Sequence, residues 1–260
     1  MRLDLALVER KLISTRTKAK AAIESGLVFY HGKAILKPSF DIQNLEALEI
    51  KGELMPYVSR GGLKLEKALH TFKINLQNKI VLDIGSSTGG FTDCALQHGA
   101  QHVIAIDVGK DQLDSKLRQN PLVIVYEQCD FRTIQLSKIQ QAQIAVSDVS
   151  FISVTKMLPK LSELPALEAI ICLIKPQFEC GKAIADQYKG IIKNKKIHEE
   201  ILTKVLDCFQ TAGFYLKGLT YSPICGACGN IEYLAYFDKT KSNLQIQPST
   251  IIQAAFKDLK

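Results

Sequence analysis

The sequence predicts an α/β chain in two parts: a short basic α+β domain over residues 1–53 and, over residues 61–260, a mostly parallel sheet of seven strands with an antiparallel edge. Three observations carry this reading. From residue 79 onward, short apolar runs recur between stretches with helical spacing, and near-continuous apolar strands alternating with helices mean a parallel sheet covered on both faces. The last two runs, Phe214–Tyr221 and Ile231–Phe237, lie close enough in sequence to pair antiparallel at one edge. The charge is also uneven: residues 1–40 hold eight Lys or Arg against three acids, whereas residues 41–53 hold four acids and one Lys. A basic block closed by an acidic strip marks a domain boundary, and residues 54–60, stiffened by Pro56, form the linker.

Each element follows from local pattern. Leu3, Leu7, Val8 and Leu12 have the spacing of one helical face. Ser14 or Thr15 can cap a second helix through Ala19, Ala22 and Ile23, and Gly26 stands where a left-handed C-terminal residue belongs. Val28-Phe29-Tyr30 reads as a strand and His31-Gly32 as a tight turn before Lys33. Beyond the linker, strands are expected at Ile80–Ile84, Val103–Asp107, Leu122–Tyr126, Ile144–Asp148 and Ala169–Lys175, before the two edge runs. Ser249 or Thr250 can cap a last helix carrying Ile252, Ala255, Phe256 and Leu259.

Composition removes several classes. At 47% hydrophobic and 23% charged residues the chain is not disordered. Its longest uninterrupted apolar run, Ala169 to Ile174, falls far short of the roughly 20 residues a membrane-spanning helix needs. Arg2, Asp4, Glu9 and Arg10 leave no room for the apolar stretch of a signal peptide. Seven scattered cysteines, at 94, 129, 172, 180, 208, 225 and 228, suit reduced thiols in a cytoplasm. With no Trp and 7% aromatics, a protein built on aromatic stacking platforms is not expected. The net charge of +7 hints at a polyanionic partner.

Ligands of such sheets bind beyond the carboxyl ends of the strands. The first strand ends at Asp83-Ile84-Gly85 and runs into Ser86-Ser87-Thr88-Gly89-Gly90-Phe91. Position 87 is Ser, so this is not the dinucleotide-binding glycine pattern. The second strand ends in Asp107, placed to take the hydroxyls of a ribose, and the later ends carry Asp130, Asp148 and Lys175. A carboxylate such as Asp83 suits a ligand with an ammonium end and repels a pyrophosphate.

The loop is similar to the S-adenosylmethionine site of class I methyltransferases, which are Rossmann-like. The first block, through Arg2, Asp4, Leu7, Arg16, Ala19, Ile23, Gly26, Val28, Gly32, Lys33, Lys37 and Pro38, resembles the S-four RNA-binding domain, with His31 where that family usually has Asn. Four further strings are Tyr57–Leu69, Ser147–Ser153, Ile174–Glu179 and Gly229–Leu234. Together with the loop they make the chain resemble the TlyA family over roughly residues 1–237. Thr88, where many FtsJ-like loops carry Pro, is a departure. The resemblance implies an S-four domain joined to an FtsJ-like methyltransferase domain. It implies methylation of a ribose 2′-hydroxyl in ribosomal RNA with S-adenosylmethionine, and a tetrad of Lys64, Asp148, Lys175 and Glu232.

In that tetrad Lys175 is the group nearest the hydroxyl, either as a base if neutral or as an electrostatic guide for the developing alkoxide. Lys64 is the second cation, and Asp148 and Glu232 orient the lysines. The cofactor is expected on Asp83, Gly85, Ser87, Gly89, Gly90, Phe91, Asp107, Asp130 and Asp148, with Phe131 as a wall. RNA contacts are expected from Arg2, Arg16, Lys18, Lys20, Lys33, Arg60 and Lys182. Cys225-x-x-Cys228 has no second pair and no nearby His, so the two are read as incidental thiols and no metal is expected. The substrate is expected in large-subunit RNA, since the chain starts almost at Arg2 without a basic extension, with small-subunit RNA a further possibility. The expected form is a monomer or weak dimer. Rival readings are an inactive RNA-binding assembly factor, a haemolysin-type protein and a nicotinamide dehydrogenase. The first is disfavoured by the intact tetrad and the last by the glycine loop.

Overall fold

The computed structural model describes residues 1–13, 15–52, 55–241 and 246–259. The chain divides into two compact units, Met1–Pro56 and Tyr57–Lys260.

In the first unit, α1 (Leu3–Glu9) packs on α2 (Arg16–Glu24), followed by the hairpin β1 (Val28–Tyr30) and β2 (Lys33–Ala34). The Thr15 side chain accepts the Lys18 amide and so caps α2; Ser14 lies outside the described residues. His31 and Gly32 both take positive φ, as a tight hairpin turn of this hand requires. A third strand, β3 (Leu48–Ile50), pairs antiparallel with β1 and completes the order β2-β1-β3. It lies in the acidic strip read from sequence only as a boundary. Its single buried residue, Leu48, is too little to show a period. The core holds Leu3, Leu7, Ala19, Ile23, Val28 and Leu48.

One charge sits inside this small core. Asp4 is 0% exposed, and its carboxylate accepts from Arg2 Nε at 3.0 Å and Arg16 Nε at 2.9 Å. These guanidinium hydrogen bonds hold the carboxyl well below the usual carboxylate range, against the opposing pull of burial. Arg2 and Arg16, expected as phosphate contacts, therefore each devote part of a guanidinium to the fold. Lys20 and Lys33 are exposed and Lys18 half-buried.

The second unit opens on α3 (Gly61–Phe72). It then alternates β4 (Ile80–Ile84), α4 (Gly90–Gln97), β5 (His102–Ile106), α5 (Ser115–Arg118), β6 (Val123–Tyr126) and β7 (Ile144–Ser147). After α6 (Leu158–Ser162) come β8 (Ala169–Ile174), α7 (Pro176–Glu179), α8 (Lys182–Gln187) and α9 (Lys195–Thr211). The unit closes with β9 (Tyr215–Tyr221), β10 (Tyr233–Asp238) and α10 (Pro248–Asp258). The sheet order is β6-β5-β4-β7-β8-β10-β9; the pairs from β6 to β8 are parallel, and β10 runs antiparallel to both neighbours.

Alternation along the strands builds two cores. Val81, Val103, Val146 and Ile171 face α3 and α4, whereas Leu82, Ile104 and Ile170 face the side covered by α9 and α10. On α9 the buried residues Ile201, Leu202, Val205 and Phe209 recur at helical spacing and supply one stripe of the second core.

Two expectations change. The linker was read as 54–60, but Tyr57 is buried, its hydroxyl donates to Glu66 Oε1 at 2.7 Å, and the Val58 amide donates to Asp93 Oδ2 at 2.8 Å. Residues 57–60 thus pack as part of the second unit; Leu54 lies outside the described residues. The last helix starts at Pro248 after Gln247 rather than on a Ser249 or Thr250 cap, because proline's fixed φ and missing N–H suit a first helical position.

Asp4→Asn is expected to destabilise the first unit by about 1–3 kcal/mol, since it removes the charge from three hydrogen bonds to a buried acceptor. The sign with pH follows from the lowered carboxyl. The contribution is full above the unfolded value, about pH 4, and fades as pH falls toward the lower folded value. Melting curves of wild type and Asp4→Asn should therefore differ most near neutral pH and converge in acid; a gap independent of pH would refute the account.

Candidate active site

The strand order reverses between β4 and its neighbours β5 and β7, and the crevice beyond the carboxyl ends of these strands is where a doubly wound sheet binds ligands. The loop after β4 opens α4 there. Gly89 has φ +95, and a Cβ at Gly90 would come within 2.4 Å of Ser59 Oγ and 2.8 Å of the Gly62 amide nitrogen. Gly90 is therefore demanded by the close approach of the start of α3 to α4, and Gly89 by its left-handed backbone and its packing on Leu113 and Leu117.

Four side chains from four elements converge on this crevice. Lys64 comes from the second turn of α3, Asp148 follows β7, Lys175 follows β8, and Glu232 immediately precedes β10. Lys64 Nζ lies 2.7 Å from Glu232 Oε2 and 3.3 Å from Asp148 Oδ2. Lys175 Nζ lies 2.7 Å from Asp148 Oδ1 and donates to Ser150 Oγ at 2.8 Å, with the Asp148 carbonyl oxygen at 3.4 Å. The two lysines are thus bridged through one carboxylate. Both are buried, as is Glu232. Burial by itself lowers the pKa of Lys64, but the charges of Asp148 and Glu232 outweigh it and hold the ammonium above its ordinary value. Gly226 closes over this cluster: a Cβ there would fall 2.1 Å from Glu232 Oε1.

Two cavities meet at Asp148. One, of about 470 Å³, is lined by Lys64, Lys175 and Glu232 together with Arg60, Gly90 and Phe91. The other, of about 540 Å³, is lined by Asp107, Asp130, Phe131 and Arg132. Gly85, Ser87, Asp148, Ser150 and Phe151 line both. Asp107 is held by two backbone donors, the Ser87 amide at 2.8 Å and the Gly109 amide at 2.7 Å, which leaves the remaining lone pairs of its oxygens for a ligand. Asp130 is gripped by Arg132, whose hydrogen bonds lower its pKa.

Several expected residues are placed differently. Asp83 lines neither cavity. It is wholly buried between the sheet and α4, its Oδ2 accepts from Thr92 Oγ1 at 2.6 Å, and its Oδ1 has no partner among the described residues. Desolvation, only partly offset by the Thr92 hydrogen bond, pushes this carboxyl up to about 7. Gly89 lines neither cavity and packs against Leu113 and Leu117. Lys182, at the start of α8, is exposed and lines neither.

Sequence reasoning passed over Ser150 and Phe151. Ser150 lies two residues past Asp148 in the same loop after β7, a proximity that could have suggested it. Phe151 is 91% exposed with φ +63 at the mouth of both cavities, its ring 5.0 Å from that of Phe178. No pattern in an apolar string distinguishes such a residue from core.

A model of the FtsJ-like methyltransferases matches residues 57–239, and one of the S4 domain matches residues 1–44. Hemolysin A of Brachyspira hyodysenteriae is 43% identical, over 91% of this chain and 99% of that protein. The 23S rRNA (cytidine-2′-O)-methyltransferase TlyA of Campylobacter jejuni is 39% identical, over 92% of this chain and 100% of that protein. A solved structure from Streptococcus thermophilus matches with a TM-score of 0.77 at 40% identity, over 99% of this chain and 96% of that one. With both domain models in sequence order and full-length relatives at this identity, the chain belongs to the TlyA family, an S-four domain followed by an FtsJ-like methyltransferase domain.

Proposed function

We propose that this protein methylates a ribose 2′-hydroxyl of ribosomal RNA. The observation that carries the reading is the Lys64–Asp148–Lys175–Glu232 cluster at the junction of two cavities, one lined by lysines and one by carboxylates. The substrate is large-subunit RNA, in keeping with the name of the Campylobacter relative, which also suggests a cytidine. Small-subunit RNA is the second target to assay. Lys18, Lys20 and Lys33 of the first unit serve as its phosphate contacts, with the outward parts of Arg2 and Arg16. Arg60 contacts RNA from the rim of the first cavity. The work is cytoplasmic, consistent with seven free cysteines. Among the described residues no helix is long and apolar enough to cross a membrane.

The second cavity suits S-adenosylmethionine by its donor set. Asp107, Asp130 and Asp148 favour a cationic, hydroxyl-bearing ligand and would repel a pyrophosphate. Asp107 holds the ribose hydroxyls, Phe131 walls the base, and the Gly85–Gly90 loop faces the amino-acid end. When bound, S-adenosylmethionine supplies an electrophilic methyl group on a sulfonium.

The residues then act on the RNA. Lys175, with three oxygen acceptors around its nitrogen, serves as an electrostatic guide that steadies the ribose oxygen as it takes the methyl group and passes its proton to solvent water. Glu232 fixes Lys64, Lys64 fixes Asp148, and Asp148 fixes Lys175. Alignment of the hydroxyl in this buried setting supplies much of the acceleration. Phe151 offers an uncovered ring on which the target base stacks.

Methyl transfer from labelled S-adenosylmethionine to ribosomal subunits should place the label on a ribose. Lys175→Ala should lower the rate by about 10²-fold or more while cofactor binding is retained. Label on a base, or full activity in the variant, would sink the proposal.

A second expectation concerns Asp83. Its carboxyl lies outside both cavities with its value raised by burial, so the folded state holds its proton longer than the unfolded chain does. Stability should therefore fall as pH rises from about 4 to about 7 and level off above that, and Asp83→Asn should flatten that slope. Melting temperatures between pH 5 and 8 check it; equal slopes in wild type and variant would refute the account.

A further inference from the structure

A second cluster of metal-ligating side chains lies outside both cavities. Glu66 and His70 stand one turn apart on α3, and His98 ends α4. One ligand atom from each lies within 4.8 Å of the others. We infer that Glu66, His70 and His98 form a binding site for a divalent cation of the zinc class, joining α3 to α4.

The supporting detail is in the second ligands. His98 Nδ1 lies 2.9 Å from the Cys94 carbonyl oxygen. A carbonyl only accepts, so Nδ1 carries the proton and Nε2 presents a bare lone pair, the tautomer and orientation that metal-bound histidines show. Glu66 Oε1 is fixed by the Tyr57 hydroxyl at 2.7 Å, an orienting hydrogen bond to a ligating carboxylate that leaves Oε2 available. The rings of His70 and His98 meet edge to face with centroids 6.1 Å apart. Zinc–nitrogen bonds of about 2.0–2.1 Å place tetrahedral ligand atoms roughly 3.4 Å apart, so the cluster needs to close by little more than 1 Å. His70 is exposed at the end of α3, so its side chain is free to turn toward the other two.

Cys94 does not join the set. It is fully buried, and its sulfur lies 3.6 Å from His98 Nδ1, the ring nitrogen opposite the ligating one. Two imidazoles and one carboxylate suit zinc and neighbouring transition metals rather than magnesium or calcium, which take oxygen ligands. Water completes the fourth position. The two helices so joined are those that carry Lys64 and begin at the Gly89-Gly90 turn, and a cation bound only by the folded arrangement stabilises it by mass action.

The test uses the full-length chain stripped with chelator and titrated with Zn²⁺, Co²⁺ or Mg²⁺, followed by melting temperature, calorimetry and the cobalt spectrum. One equivalent of Zn²⁺ should raise the melting temperature, and Mg²⁺ should not. The cobalt complex should show ligand-field bands without thiolate charge transfer. His70→Ala changes an exposed side chain, and Glu66→Gln keeps an acceptor for Tyr57; each should abolish the thermal shift and weaken binding about tenfold or more. The site is refuted if wild type shows no Zn²⁺-dependent shift or if His70→Ala retains it. It is equally refuted if the shift disappears in Cys225→Ser/Cys228→Ser, which would place the cation on that thiol pair.

Discussion

The ammonium of Lys64 is the constraint on which the rest of the site depends. It is a buried cation between two buried or half-buried carboxylates, and each of its partners is held by a different element. Charges in such a setting are tolerable only as a set: removal of one member of a buried ion pair typically costs about 3–5 kcal/mol because the other is left uncompensated. Lys64 therefore fixes the rotamer of Asp148, and through it the position of Lys175, while Glu232 ties β10 to α3. This also separates the two lysines chemically. Loss of Lys64 would strand the buried Glu232 and confound stability with rate. Loss of Lys175 leaves Asp148 paired with Lys64, and so is the cleaner probe of chemistry.

The scaffold explains why these four residues can meet. Parallel strands deliver their carboxyl ends to one side of the sheet, which accounts for Asp148 after β7 and Lys175 after β8. The antiparallel β10 runs the other way, so it is its start that reaches the same side, and Glu232 stands just before that start. The inserted order β8-β10-β9 is thus what places an acid from the end of the chain beside a lysine from its first third.

Much of this was legible in the sequence because the physics is local. The strand Ile80–Ile84 is an apolar run between polar turns, and the hairpin at His31-Gly32 follows from its turn chemistry. What escaped depends on tertiary contact. Leu48–Ile50 is a strand only because β1 offers it an edge. Tyr57 belongs to the second unit because a glycine at 62 makes room for its ring. Asp83 sits at the expected end of β4, but alternation turns its side chain under α4 rather than into the crevice. Position along a strand was readable from the residues; how far α4 would cover that position was not. The Glu66, His70 and His98 cluster joins two helices at Cys94 and Tyr57, a register no spacing within either helix reveals.

Asp4 raises the same issue in the first unit, with a different consequence. A basic face invites the reading that every arginine on it awaits a phosphate. Here the burial of one acid draws in Arg2 and Arg16, each through Nε and each still about half exposed. An arginine fixed by one edge presents its other N–H groups in a set direction, at less loss of side-chain entropy than a free one. The buried carboxylate thus lowers the net positive charge of that face while making two of its cations rigid. For a domain of barely fifty residues, whose core is small, one device that both holds the helices together and orients the recognition groups is economical in sequence. It also means that substitutions of Arg2 or Arg16 report on folding as well as on RNA, so the lysines at 20 and 33 are the residues whose loss bears on RNA alone.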